Sequence, residues 1–92
     1  MSKLKEKCGI VGIYGKDLPV SKLAFFSLFA LQHRGQEASG ITTNDGKRFR
    51  VHRGAGLVSQ VYTEKIIKNL TGHIGIGHNR YSTSKGGALN HA

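Results

Sequence analysis

The sequence predicts an α+β domain of layered build, not a parallel βαβ series, on three observations. Two short runs, "GIVGIYG" (9–15) and "HIGIGHNRY" (73–81), alternate glycine with β-branched or aromatic residues, as strands do. Between them, "SGITTNDGKRFRVHRG" (39–54) places two strand-like runs around Asn44, Asp45 and Gly46, residue types that accept the positive φ of a tight hairpin turn. An apolar segment, "LAFFSLFAL" (23–31), has helical spacing and separates the first strand from the hairpin.

Each element has its own signals. The first strand reads as buried, with glycines where another backbone or a ligand comes close, and Gly15 ends it. Pro19 suits a helix start, and Leu23, Phe26, Leu28, Ala30 and Leu31 recur at mixed three- and four-residue spacing, which predicts a largely buried helix stopped by Gly35. On the second hairpin strand Phe49 and Val51 share one face, and Arg48, Arg50 and His52 share the other. "YTEKIIKNLTG" (62–72) predicts a short helix with Thr63 as its cap and Gly72 as its stop. The last strand runs on into a polar loop, "KGGALNHA" (85–92).

Composition narrows the function classes. The 92 residues suffice for one small domain, and 38% of them are apolar, clustered enough to form a modest core. A single cysteine makes no internal disulfide and builds no zinc or iron–sulfur site alone, so a reduced cytoplasm is the expected compartment. The charged leader MSKLKEK lacks the apolar core of a secretory signal, and no run is long enough to cross a bilayer, so no membrane association is expected. The net charge of +9 raises nucleic-acid binding as a second class of function. Three of the 14 basic residues fall in the seven-residue leader and the rest are interspersed, with no RNP, zinc-finger or helix-turn-helix signature; no specific nucleic-acid partner is expected.

The chemistry centres on Cys8. A lone cysteine is most often a small hydrophobe. A thiolate nucleophile needs a base or a lowered pKa. Five histidines, His33, His52, His73, His78 and His91, are available, although none falls in a local cysteine-protease signature. The alternative is cleavage before Cys8, which frees an α-amine of pKa about 7.7–8.0 on the nucleophile's own residue.

"CGIVGIYG", "ALQHRGQEASGI" and "GIGHNRYSTS" occur in an order and spacing that resembles the class II glutamine amidotransferases, enzymes with an N-terminal nucleophile. The resemblance covers residues 8 to about 92. Within the family, the wording "HRGQE" and "NRYST" is closest to the branch that opens purine nucleotide synthesis. A glucosamine-6-phosphate synthase, the alternative glutaminase, would read Tyr-Arg-Gly-Tyr-Asp and Thr-Arg-Trp-Ala-Thr there.

The resemblance implies the N-terminal part of a four-layer αββα N-terminal-nucleophile hydrolase fold, incomplete in this chain. Residues 1–7 are then a propeptide, and 8–92 the first portion of a glutaminase domain. The family's Asn-Gly oxyanion pair, its acid for the glutamine amino group and a phosphoribosyltransferase domain are not among these residues, so the segment is expected to be inactive alone.

The resemblance also assigns roles. Cys8 attacks the glutamine side-chain amide and releases ammonia. Arg80 binds the substrate carboxylate, Tyr81 and Thr83 line the same pocket, and Arg34 and Gly35 either shape the helix exit and the wall of the site or serve the fold alone. His33 and His78 are structural. The partners implied are L-glutamine and, through the missing domain, phosphoribosyl pyrophosphate, with a homo-oligomer at full length. No metal site is expected in this chain; magnesium and, in some relatives, a [4Fe-4S] cluster belong to the missing C-terminal part.

Overall fold

The computed structural model describes residues 8–32 and 36–81. Its elements are β1 (Cys8–Tyr14), α1 (Val20–Leu31), β2 (Gln36–Asn44), β3 (Phe49–Ala55), α2 (Val58–Val61), α3 (Glu64–Asn69) and β4 (Ile74–Tyr81). The four strands form one sheet in the order β1-β4-β2-β3, and every pairing is antiparallel. The α+β expectation therefore holds. The first and last strands, far apart in sequence, lie side by side.

Local chemistry accounts for most boundaries. Pro19 precedes the first residue of α1, where its missing N–H costs no helical hydrogen bond. In the hairpin, Asp45 accepts from the backbone N–H of Lys47 and Arg48 at 2.9 and 3.0 Å, and Gly46 takes the positive φ of 97°. These backbone donors, helped by the Arg50 guanidinium 3.2 Å away, hold the Asp45 carboxyl down to a pKa of about 2. Thr63 caps α3 by accepting from Ile66 N at 3.2 Å.

The helix α1 ends earlier than Gly35 predicts. Its last residue is Leu31, and Gln32 is already extended, with its side chain accepting from Val58 N at 2.7 Å. Gly35 lies outside the described residues. Helix α3 likewise stops at Asn69, with Leu70 as its cap, short of Gly72. Helix α2, of four residues, has too little length for any periodicity to show.

Strand alternation gives the sheet two unlike faces. One carries Ser39, Ile41, Thr43, Gly75, Gly77, Asn79 and Tyr81, and the helices cover it. The core there is Ala24, Leu28, Ile41, Val58, Val61, Tyr62 and Leu70. Helix α1 sits close because Gly77 has no side chain: a Cβ there would meet Leu28 Cδ1 at 2.9 Å.

On the other face the register aligns four rows: Cys8–Arg80–Ala38–Ala55, Ile10–His78–Gly40–Arg53, Gly12–Ile76–Thr42–Val51 and Tyr14–Ile74–Asn44–Phe49. No described element packs on this face, which corrects two expectations. The strand β1 is an edge strand with Ile10 and Tyr14 72% and 71% exposed, not a buried one. The apolar side of β3, Phe49 and Val51, faces out, while His52 turns inward to Val61 O at 2.9 Å. Phe26 and Ala30 of α1 are also exposed; its buried residues are Val20, Ser21, Ala24 and Leu28.

Candidate active site

The site is built where the first strand meets the last. Antiparallel pairing of β1 with β4 sets Cys8 opposite Arg80, and pairing of β4 with β2 sets Arg80 opposite Ala38. In-register residues of an antiparallel pair have Cα atoms about 4.5–5.5 Å apart. The small side chain of Ala38 leaves room beside Arg80. The Arg80 side chain is half-buried, and among the described residues its enclosed Nε donates to no acceptor. A charged donor left open in this way suits an anionic ligand.

Directly behind this row, on the helix face, Gly9 pairs with Asn79. Asn79 is fully buried, and its Nδ2 donates to Leu28 O at 2.9 Å. The Tyr81 hydroxyl donates to Leu31 O. Two carbonyls from the last turn of α1, which have no partner within the helix, are thus satisfied by β4. Arg80 lies between these two anchors in sequence and on the opposite face of its strand.

Two further features shape this end of the sheet. A β-bulge between Gln36 and Ala38 places Glu37 as the extra residue, and Glu37 O accepts from Gly56 N at 2.7 Å. In the next row, His78 lies over Gly40, where a Cβ would stand 2.6 Å from its Cε1. Burial, and secondarily the positive charge of Arg53, push the His78 pKa down, so its imidazole is neutral at neutral pH.

Of the residues singled out in the sequence, the structure brings Cys8 and Arg80 together. It sets Tyr81 next to Arg80 in sequence but on the other face of β4, turned toward α1, with its hydroxyl on Leu31 O. Thr83, Arg34, Gly35 and His33 lie outside the described residues. Asn79 and the Glu37 bulge were not singled out, although a polar residue at a buried parity of the strand, Asn79 after Gly75 and Gly77, is a readable signal. Among the described residues no three His, Cys, Asp or Glu side chains group as a metal site, and no helix is long and apolar enough to cross a membrane. Two shallow clefts, of about 390 and 310 Å³, lie away from the Cys8–Arg80 row and are lined in part by α3 residues.

The antiparallel glycine-threaded sheet and the sequence segments that run into it are those expected of the N-terminal part of a class II glutamine amidotransferase. Within that class the protein it matches is amidophosphoribosyltransferase. The chain is 52% identical over 83 residues to the Methanocaldococcus jannaschii amidophosphoribosyltransferase, covering 89% of this chain and 18% of that protein. It is 48% identical to the Mycobacterium leprae protein of the same name over 90% of this chain and 15% of that one.

Solved structures agree. A structure described as the allosteric regulatory enzyme of purine biosynthesis superposes with a TM-score of 0.72 at 37% identity, over 84% of this chain and 16% of that one. The glutamine phosphoribosylpyrophosphate amidotransferase of B. subtilis, complexed with ADP and GMP, superposes at 0.64 and 36% identity, over 82% and 16%. The chain therefore spans less than a fifth of the relatives it matches. No family model matches it.

Proposed function

We propose that this chain supplies the nucleophile and the carboxylate clamp of a glutaminase that feeds ammonia to phosphoribosyl pyrophosphate, forming 5-phosphoribosylamine. The observation that carries the reading is the register of Cys8 opposite Arg80, set in a segment about half identical to amidophosphoribosyltransferases. In this reading residues 1–7 are removed, and Cys8 becomes the first residue.

The free α-amine of Cys8 takes the thiol proton, directly or through a water. The sulfur attacks the side-chain amide carbon of glutamine. As the carbon–nitrogen bond breaks, the proton held on the amine passes to the leaving nitrogen, which departs as ammonia. The γ-glutamyl thioester is then opened by water, whose proton the amine accepts, and glutamate leaves. Through these steps Arg80 holds the substrate α-carboxylate, for which a planar, permanently charged fork is suited. The neutral His78, one row away, adds no charge that would compete for it. Thr83, Arg34 and Gly35 complete the surroundings by family resemblance, while Tyr81 braces β4 against α1 from the other face.

A single thiol cannot hold an iron–sulfur cluster by itself, and no step of this reading runs through a metal. In the same reading magnesium, a cluster where there is one, and the phosphoribosyl pyrophosphate site fall to the part of the full-length protein beyond this chain, and the full-length protein is a homo-oligomer. A cytoplasmic location accompanies the reading.

The test is Arg80→Lys in the full-length protein. It should raise the glutamine KM by about 10- to 100-fold, the range expected when a bidentate charged contact is lost, while ammonia-dependent synthesis stays intact. Equal loss of both activities would assign Arg80 a structural role.

A further inference from the structure

The buried amide of Asn79 has more to do than fill space. It stands in register with Gly9, the residue after Cys8, and next in sequence to Arg80, so both members of the proposed site adjoin it through the backbone. It is wholly buried, and its Nδ2 ties β4 to the last turn of α1 through Leu28 O at 2.9 Å. Its Oδ1 is enclosed with no donor among the described residues. A side chain that spends a buried amide on this one bond fixes the height of β4 against the helix end. Strand alternation converts that height into the placement of Arg80 on the opposite face.

We infer that Asn79 is a positioning residue for the Cys8–Arg80 pair, holding Arg80 at its height over the substrate carboxylate by anchoring β4 to the C-terminal turn of α1. This rests on the glutaminase reading for its kinetic consequence, but the anchoring itself does not. Positional precision matters because a misplacement of about 1 Å costs on the order of 100-fold in a positioned reaction.

The experiment compares three variants of the full-length protein. Asn79→Ala removes the anchor. Ser21→Ala removes a comparable bond, Ser21 Oγ to Ile67 O at 2.9 Å, at the opposite end of the same helix. Asn79→Asp keeps the shape and restores the donor only when its carboxyl is protonated. Asn79→Ala should raise the glutamine KM about tenfold or more with ammonia-dependent activity unchanged, and Ser21→Ala should leave both alone. Asn79→Asp, whose ionised carboxyl cannot donate, should raise the glutamine KM in the same direction, which keeps the test alive if Asn79→Ala fails to fold.

Amide hydrogen exchange supplies the readout independent of catalysis: exchange at residues 9 and 80 should rise about tenfold in Asn79→Ala and not in Ser21→Ala. Equal effects of Asn79→Ala and Ser21→Ala, or an unchanged glutamine KM together with unchanged exchange, would overturn the inference. A parent protein without glutaminase activity would instead overturn the functional reading and leave the exchange result to decide the anchoring.

Discussion

Gly72→Ala should be among the most destabilising single-methyl additions in this sheet. Gly72 adopts a φ of +145°, and a Cβ there would stand 2.5 Å from Asn44 O and 2.7 Å from Asn44 C. Those are backbone atoms of β2, so no flexible side chain can yield. Asn44 O is also the acceptor for His73 N at 3.0 Å, and His73 O in turn accepts from Gly15 N at 2.8 Å. Relief of the clash therefore pulls on the bonds that close the far ends of β1 and β4. Backbone strain of about 1–3 kcal/mol plus one weakened hydrogen bond gives a loss of about 2–4 kcal/mol. In urea unfolding this lowers the midpoint by about 1–2 M at an unchanged slope. Gly12→Ala is the matched control: no atom lies within 4 Å of its Cβ and its φ is not positive, so it should be neutral or slightly stabilising. A Gly72→Ala protein within about 0.5 kcal/mol of the parent, the range of an ordinary surface substitution, would refute the reasoning.

Other outcomes follow from the same structure. Leu28→Ala, at a wholly buried position packed against Gly77, should cost about 2–5 kcal/mol by denaturant unfolding. Because burial lowers the His78 pKa in the fold, the unfolded chain binds the extra proton first as pH falls; stability is whole above pH about 6.5 and declines below it. His78→Gln should flatten that decline between pH 7 and pH 5 in thermal melts, and an unaltered slope would assign it to other groups. The interspersed cations should give only weak, salt-sensitive nucleic-acid binding; submicromolar affinity at physiological salt in a filter assay would contradict this.

The elements were largely legible in the sequence because their signals are local: Pro19 before α1, Asn44 to Gly46 in the hairpin, Thr63 at α3, and glycine alternation in β1 and β4. What the sequence concealed is relational. Phe49, Val51, Ile10 and Ile76 look like core residues by type, yet they share the sheet face that no described element covers. Cys8 and Arg80 are separated by most of the chain, and nothing in either local pattern states that β4 inserts between β1 and β2. The resemblance linked the two residues through function, and the register then supplied the geometry. Helix α1 ends before Gly35 where Asn79 and Tyr81 satisfy carbonyls of its last turn with side chains, a long-range solution no terminal glycine could announce.

The central claim is that Cys8 acts as an N-terminal nucleophile whose own α-amine is the base. It is tested most directly by treating full-length protein with an electrophilic glutamine analogue and reading the chain start and the site of attachment by mass. While Lys7 remains joined, the nitrogen of Cys8 is an amide without useful basicity. The account predicts label on Cys8 only in molecules that begin at Cys8, with glutamine hydrolysis confined to that form. Hydrolysis at the same rate by protein that still begins at Met1 or Ser2 would contradict it and make one of the five histidines the base.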